Sequence, residues 1–358
     1  MSTIITFIFP HPVDGPTGGY KVVYEYANRL VADGYRVNIV YSGSLFWMKK
    51  SLYFKLTNCV RYVERLIKGY SGRRWFDLDK RVKEYFTLSL NYRHLPKSDI
   101  YVATSPYTAM YVKDYPTDKK YYFIQGYENW GGVTDEMLLS TYQYPLKKIT
   151  VANWLKEIIE GVGEKCEVIP NGFDFNYFRY TKPIDERDKF TIVMLYHTAE
   201  LKGCKYGFEA LELVKQRYPQ LRVTLFGTPE RPANLPEWYE YYQRPDREKH
   251  NRIYNEAAIF LGTSNIEGWG LTVGEAMMCG AAVVCTDNKG YMEMVVHEEN
   301  ALVSPVRDAR GLADNIIRLI EDDELRCRIA TNAMEHIKQF TWDRAYGKLL
   351  EVFFDIKQ

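Results

Sequence analysis

Apolar and polar positions along the chain follow two alternating rhythms. Short continuous apolar runs at about 3–9, 35–41, 99–104, 120–125 and 148–152 predict buried strands. Between them, apolar residues recur at helical spacing over about 19–33, 106–113 and 153–161. The second half repeats the scheme. Strands are expected near 166–169, 190–196, 221–226, 258–263, 281–286 and 300–304, and helices near 204–217, 247–256, 271–279, 308–321, 323–338 and 342–355. Strand and helix in steady alternation predict an α/β protein of parallel sheets with helical crossovers.

The alternation restarts after Val168-Ile169-Pro170-Asn171-Gly172, where Pro and Gly interrupt it ahead of a polar stretch at 181–189. At 358 residues the chain exceeds the size at which a single core usually stops growing. Two domains are therefore expected, 1–168 and 169–341, with the final helix at 342–358 packing back on the first. Ligands bind such doubly wound sheets beyond the C-terminal ends of their strands. The expected architecture is two Rossmann-like domains facing each other across a deep cleft.

Composition narrows the function only a little. Hydrophobic residues at 46% and charged residues at 26% suit a folded soluble protein, and a net charge of +1 argues against a general nucleic-acid binder. The six cysteines are scattered, with no Cys-x-x-Cys pair and no zinc spacing, which reads as reduced thiols in the cytoplasm. The N-terminal apolar run has no basic leader and reads as a first strand. No apolar stretch approaches the ~20 residues that span a bilayer, so membrane contact is expected only at the periphery, on the inner face. One segment departs from the neutral balance: residues 45–97 hold thirteen Lys/Arg against four Asp/Glu, a local charge of +9. Two readings stand for it, a solvated helical hairpin or a surface for an anionic membrane or a lipid-linked acceptor.

The strongest chemical signal is Glu267-Gly-Trp-Gly-Leu-Thr-Val-Gly-Glu275, between a strand ending near Ser264 and a helix starting near Leu271. Gly268 and Gly270 remove side chains where the backbone must turn tightly or approach a ligand. The N–H groups of Gly270, Leu271 and Thr272 would face a ligand at the positive end of the helix, a geometry that binds phosphate. Glu267 and Glu275 would accept hydrogen bonds from hydroxyls around that phosphate. A bland reading stands beside this one: Thr272 to Glu275 spells a capping box. That box leaves the flanking glycines, an exposed Trp269 and Glu267 unexplained.

This block resembles the Glu-x7-Glu signature of retaining glycosyltransferases with the GT-B fold, family 4 in particular. The likeness extends over most of the chain. Asp287 to Glu293 resembles the loop after the next strand, Pro170-Asn171-Gly172-Phe173-Asp174 resembles the interdomain motif, and Gly18-Gly19 resembles the glycine pair after the first strand. The resemblance implies that Glu275 binds the ribose of a nucleotide-sugar donor and that Glu267 holds the transferred sugar. It also implies that Gly18, Gly19, Asn171, Gly270, Leu271 and Thr272 serve the donor, and that the acceptor is a glycan or a lipid-linked molecule in cell-surface polysaccharide synthesis.

Two positions depart from the family. Tyr196-His197-Thr-Ala-Glu-Leu-Lys202-Gly203 keeps the lysine expected to neutralise the departing diphosphate, but His197 stands where an arginine is usual. A histidine brings a full charge only when protonated, so His197 either donates one neutral hydrogen bond or gains a proton beside the diphosphate. After Lys120 to Ile124, where many members have a histidine, this chain has Gln125-Gly126-Tyr127-Glu128-Asn129. Glu128 is the only carboxyl of that stretch and becomes a candidate base, with a solvated loop glutamate as the alternative.

Asp77-Leu-Asp79 matches a metal-binding signature of the other major glycosyltransferase fold only superficially. It reads as a solvated pair in the basic helical segment, and no metal or cofactor is expected. Rival readings are a nucleotide-sugar epimerase or phosphorylase of similar shape, and a non-catalytic nucleotide-sugar-binding partner subunit. An oxidoreductase would need a Gly-x-Gly-x-x-Gly turn after the first strand, and none is present.

Overall fold

The computed structural model describes residues 2–43, 60, 62–67, 69–129 and 132–355. Contacts divide the chain into two compact units, Met1–Pro170 with Asp343–Gln358, and Asn171–Trp342.

The first unit is built on seven strands: β1 (Ile4–Phe9), β2 (Arg36–Ser42), β3 (Lys83–Thr87), β4 (Ile100–Ala103), β5 (Lys120–Ile124), β6 (Lys147–Thr150) and β7 (Cys166–Val168). They lie in the order β3-β2-β1-β4-β5-β6-β7, all parallel. The central strands are largely apolar because both faces are covered, as parallel sheets require. The Gly18–Ala32 helix shows how they are covered. Tyr20, Val23, Tyr24, Ala27, Leu30 and Val31 recur every three or four residues and are all buried. The chain winds outward from β1 to β3 and returns to β4, so the sheet switches direction between β1 and β4.

The second unit repeats the plan with β8 (Thr191–Tyr196), β9 (Arg222–Gly227), β10 (Tyr239–Gln243), β11 (Ile259–Gly262), β12 (Ala282–Thr286) and β13 (Leu302–Ser304). The order β10-β9-β8-β11-β12-β13 is again parallel, and it switches direction between β8 and β11. Its core runs from Met194, Leu225 and Leu261 to Leu312 and Ile329 on the helices Ala309–Glu321 and Asp323–Ile337. The last helix, Trp342–Phe354, lies along the first unit: Tyr121 donates a 3.0 Å bond to the Val352 carbonyl, and Phe354 stacks on Tyr35 at 4.9 Å.

Several expectations are corrected. The strand at 166–168 belongs to the first sheet, beside β6, and not to the second half. The strand β10 and the helix Asp135–Tyr142 were not expected. The described part of the basic segment does not form a helical hairpin. Its described part contains helical residues at 60 and 62–67, short turns and the strand β3, while 44–59, 61 and 68 lie outside the described residues. Lys83-Glu-Tyr-Phe-Thr pairs with β2 at the sheet edge, where a short charged strand discourages further pairing. Asp79 precedes that strand in a loop and is tied to Arg81 at 2.6 Å, and Leu78 between the two aspartates is buried. No described helix is long and apolar enough to cross a membrane.

Candidate functional site

In the second unit, the loops after β8 and β11 flank the point where the sheet changes direction. Ligands bind there in open parallel sheets. Lys202 lies on the first loop and Glu267 on the second. The ammonium of Lys202 donates to Glu267 Oε1 at 2.6 Å. Ser264 Oγ donates to the same oxygen at 2.7 Å and itself accepts a 3.1 Å bond from the Tyr291 hydroxyl.

The backbone holds this pair in place. Gly203 has φ of 59°, and a Cβ there would lie 2.0 Å from the Thr263 carbonyl oxygen, so only glycine lets the two loops touch. Thr263 Oγ1 donates to the Lys202 carbonyl at 2.8 Å, and the Asn265 N–H to that of Leu201. From the other side comes the 287–293 loop. A Cβ on Gly290 would lie 2.3 Å from the Glu267 carbonyl oxygen.

His197, at the end of β8, is half-buried, and its Nδ1 accepts the Ala199 N–H at 2.9 Å. The ring proton is therefore on Nε2, which is left as a neutral donor. Burial lowers its proton affinity, and the Lys202 charge lowers it further against a weaker opposing pull from Glu267.

The Leu271–Met278 helix opens directly after this loop. Gly270 takes φ of 100°, and a Cβ there would enter the Tyr291 ring at 2.4 Å. The helix has no side-chain N-cap, because Gly270 occupies that position. Thr272 lies inside the first turn, so the capping box spelled by Thr272 and Glu275 does not form. First-turn N–H groups have no acceptor within a helix and carry the positive end of its dipole. Glu275, one turn on, is buried, and its Oε2 accepts a 3.1 Å bond from the Tyr254 hydroxyl. Trp269, expected to be exposed, is buried edge-on against Phe340 at 5.3 Å. The Pro-Asn-Gly segment reaches the same helix. Phe173 packs so closely on Gly274 that a Cβ there would lie 2.0 Å from the ring, and the buried Asn171 Oδ1 has no hydrogen-bond partner among the described residues.

The remaining candidates gather in the first unit. Gly18 and Gly19 open their helix after Thr17, again without a side-chain cap. Gln125, in the loop after β5, donates to the Gly19 carbonyl at 3.1 Å, and a Cβ on Gly19 would press on that amide at 3.2 Å. Glu128 Oε2 is sealed from solvent without a partner, and burial raises its carboxyl to about 8. The predicted residues thus fall into two groups. Lys202, Glu267, His197, Gly270, Leu271, Thr272, Glu275 and Asn171 belong to the second unit, and Gly18, Gly19 and Glu128 to the first. Ser264, Tyr254 and Tyr291, which orient the two glutamates, gave no signal in the sequence. Among the described residues no cluster of three His, Cys, Asp or Glu could hold a metal ion.

Comparison with known proteins adds to this geometry. Residues 179–336 match the model of the family described as glycosyl transferases group 1. A phosphatidyl-myo-inositol mannosyltransferase of Mycolicibacterium smegmatis is 24% identical over 205 residues, covering 54% of this chain and 53% of that protein. A D-inositol 3-phosphate glycosyltransferase of Corynebacterium efficiens is 30% identical over 167 residues, 42% of this chain and 39% of that protein. The chain thus spans about half the length, or less, of the curated relatives it matches. Among solved structures, Anabaena HepE in complex with UDP-glucose aligns with a TM-score of 0.72 at 17% identity, over 99% of this chain and 100% of that one. Sucrose-phosphate synthase of Thermosynechococcus elongatus aligns at 0.71 and 17% identity, over 99% and 98%. These two likenesses speak for the fold. Over residues 179–336 this chain is thus similar to the glycosyl transferases group 1 family, and it carries the GT-B fold.

Proposed function

We propose that the protein is a retaining glycosyltransferase that moves a sugar from a nucleotide diphosphate to a glycan or lipid-linked acceptor, in the cytoplasm and without a metal. The observation that carries this reading is the uncapped start of the Leu271–Met278 helix beside the Lys202–Glu267 pair, at the switch point of the second sheet. The diphosphate lies against the amides of Gly270, Leu271 and Thr272, with Lys202 and the Nε2–H of His197 as further donors. Glu275 accepts from the ribose hydroxyls and Glu267 from the sugar. The acceptor is bound by the first unit.

Chemically, the bond between sugar and phosphate stretches toward an oxocarbenium-like state while positive groups stabilise the leaving diphosphate. The acceptor hydroxyl attacks from the face the phosphate leaves, and a phosphate oxygen takes its proton. No protein nucleophile is required, which agrees with the raised thiol pKa values of Cys204, Cys279 and Cys285, all caused chiefly by burial. The UDP-glucose bound by Anabaena HepE and the acceptors in the names of the two curated relatives support the substrate classes without specifying them.

Calorimetry with a panel of nucleotide sugars tests the donor assignment. One member is expected to bind, and Glu275→Ala should weaken it at least ~10-fold, the loss of about one charge-assisted hydrogen bond. Unchanged affinity refutes the ribose contact. NMR of the product tests the stereochemistry, and inversion at the anomeric carbon refutes the mechanism.

For the acceptor, the basic segment supports contact with an anionic membrane. Val60, Val63 and Ile67, at helical spacing, are 68%, 52% and 80% exposed in a stretch of net charge +9. Co-sedimentation with vesicles rich in phosphatidylserine is expected to exceed that with neutral vesicles and to fall with salt.

A further inference from the structure

A buried cation lies at the C-terminal end of the Leu271–Met278 helix. Arg187, in the loop before β8, is 3% exposed. Its guanidinium makes five hydrogen bonds, every one to a main-chain carbonyl. Nε and Nη2 donate to Lys182 at 3.3 and 2.8 Å. Nη1 donates to Ala257 at 3.0 Å and to Tyr254 at 3.4 Å, and Nη2 also reaches Cys279 at 2.5 Å. Among the described residues no carboxylate pairs with it. An arginine is rarely buried so fully without one. Burial lowers its pKa to about 10, so the charge is kept at neutral pH.

Two helix ends take the place of the carboxylate. Tyr254 and Ala257 lie at the close of the Arg247–Glu256 helix, and Cys279 caps the Leu271–Met278 helix. Carbonyls at such ends have no donor within the helix and carry the negative end of its dipole. One planar fork satisfies carbonyls of both. The segment leading to Arg187 is tied to the first of these helices as well, since Asn251 and Asn255 accept the Arg179 and Thr181 N–H groups at 2.8 and 2.7 Å.

The same two helices meet again at the candidate site. The Tyr254 hydroxyl, on one, donates to Glu275 Oε2, on the other, at 3.1 Å. The length of that bond depends on the register between the helices. Tyr254 is itself clamped by Arg187, and Glu275 lies one turn before the clamped Cys279, whose N–H donates to the Glu275 carbonyl at 3.2 Å. Both partners of the contact are thus fixed from behind by one side chain.

We propose that Arg187 is a positioning residue for the donor site: by clamping the ends of both helices it sets the register that places the Glu275 carboxylate for the ribose. This deepens the proposed function and rests on its assignment of Glu275. A purely structural arginine predicts something else, namely lost stability with the nucleotide affinity of the folded protein unchanged.

The test is a double-mutant cycle of Arg187→Lys and Tyr254→Phe in the full chain, read by calorimetry with UDP, GDP and ADP as probes. Lysine keeps the cation but loses the fork that spans both helices, and phenylalanine keeps the ring but loses the hydroxyl. Each substitution alone should weaken the tightest of the three probes by about 3–10-fold, the worth of one hydrogen bond. The double variant should bind about as well as the weaker single one, because both changes undo the same placement of Glu275. Losses that multiply in the double variant, or a Lys variant that binds as wild type does, overturn the proposal. If none of the three diphosphates binds wild type, the donor reading fails on its own, and the same cycle read by urea midpoints decides the clamp. There the shift caused by Tyr254→Phe should vanish in the Lys background, and a shift of equal size in both backgrounds overturns the clamp.

Discussion

The two sheet edges are alike in topology and opposite in polarity. Beyond the second sheet, charges meet in satisfied contacts: Lys202 on Glu267, Glu267 on Ser264, Ser264 on Tyr291. Beyond the first, Glu128 Oε2 is sealed from solvent without a hydrogen-bond partner. The first arrangement leaves an ion pair beside the positive end of a helix. The second leaves a carboxyl that burial raises to about 8. One fold, used twice in a chain, has been given two kinds of chemistry by the loops alone.

The comparison breaks most sharply at Lys202. Lys202→Ala should lower kcat by about 10²–10³, the loss typical of removing one preorganised donor to a developing anion. Lys202→Arg should recover part of it, and steady-state rates with an active donor and acceptor decide. A fall confined to KM would mean the lysine binds ground state and transition state equally.

At the other edge, Glu128→Gln should stabilise the protein as pH rises. The folded carboxyl has a pKa of about 8 against 4.5 unfolded, so its neutral form favours folding. The stability it supports is complete below about 4.5 and is lost as pH climbs to about 8. Urea unfolding should show the Gln variant level with wild type at pH 4 and ahead by a few kcal/mol at pH 8.5, since a tenfold change in proton affinity is worth about 1.4 kcal/mol.

Gly203→Ala tests whether the charged edge depends on two loops touching. The left-handed backbone and the close Thr263 carbonyl together should cost about 1–3 kcal/mol or more, read as a lower urea midpoint. The smallest effect is expected at His197. Its lowered proton affinity means stability is kept above about 6.5 and falls on acidification. His197→Asn, which can still accept the Ala199 N–H, should lessen that acid loss by under about 1 kcal/mol. A variant that melts in parallel with wild type from pH 7 to 5 would show the ring to be freely solvated.

Much of this was readable from local pattern. The central strands announce themselves because both faces are buried and nearly every position is apolar, as in Ile4 to Phe9 or Ala282 to Thr286. The edge strands Lys83–Thr87 and Tyr239–Gln243 do not, because polar residues interrupt their apolar runs. The glutamates, Lys202 and the glycines around residue 270 could be singled out by spacing and residue type. What they touch could not. Lys202 and Glu267 are far apart in the chain, Tyr254 reaches Glu275 from another helix, and Gly203 matters only because Thr263 lies against it. Trp269 misled for the same reason: its burial depends on Phe340, which no local pattern connects to it. Glu128 was visible as a lone carboxyl in its loop, but the burial that raises it to about 8 comes from the folded surroundings, which no local pattern reveals.

The central claim is that a diphosphate rests on the amides that open the Leu271–Met278 helix. Crystals of the full chain soaked with the tightest-binding nucleoside diphosphate test it directly. The expected result is phosphate oxygens within hydrogen-bond distance of the Gly270, Leu271 or Thr272 nitrogens, with the Lys202 ammonium drawn from Glu267 toward them. Nucleotide bound elsewhere, with the Lys202–Glu267 pair undisturbed, would contradict it.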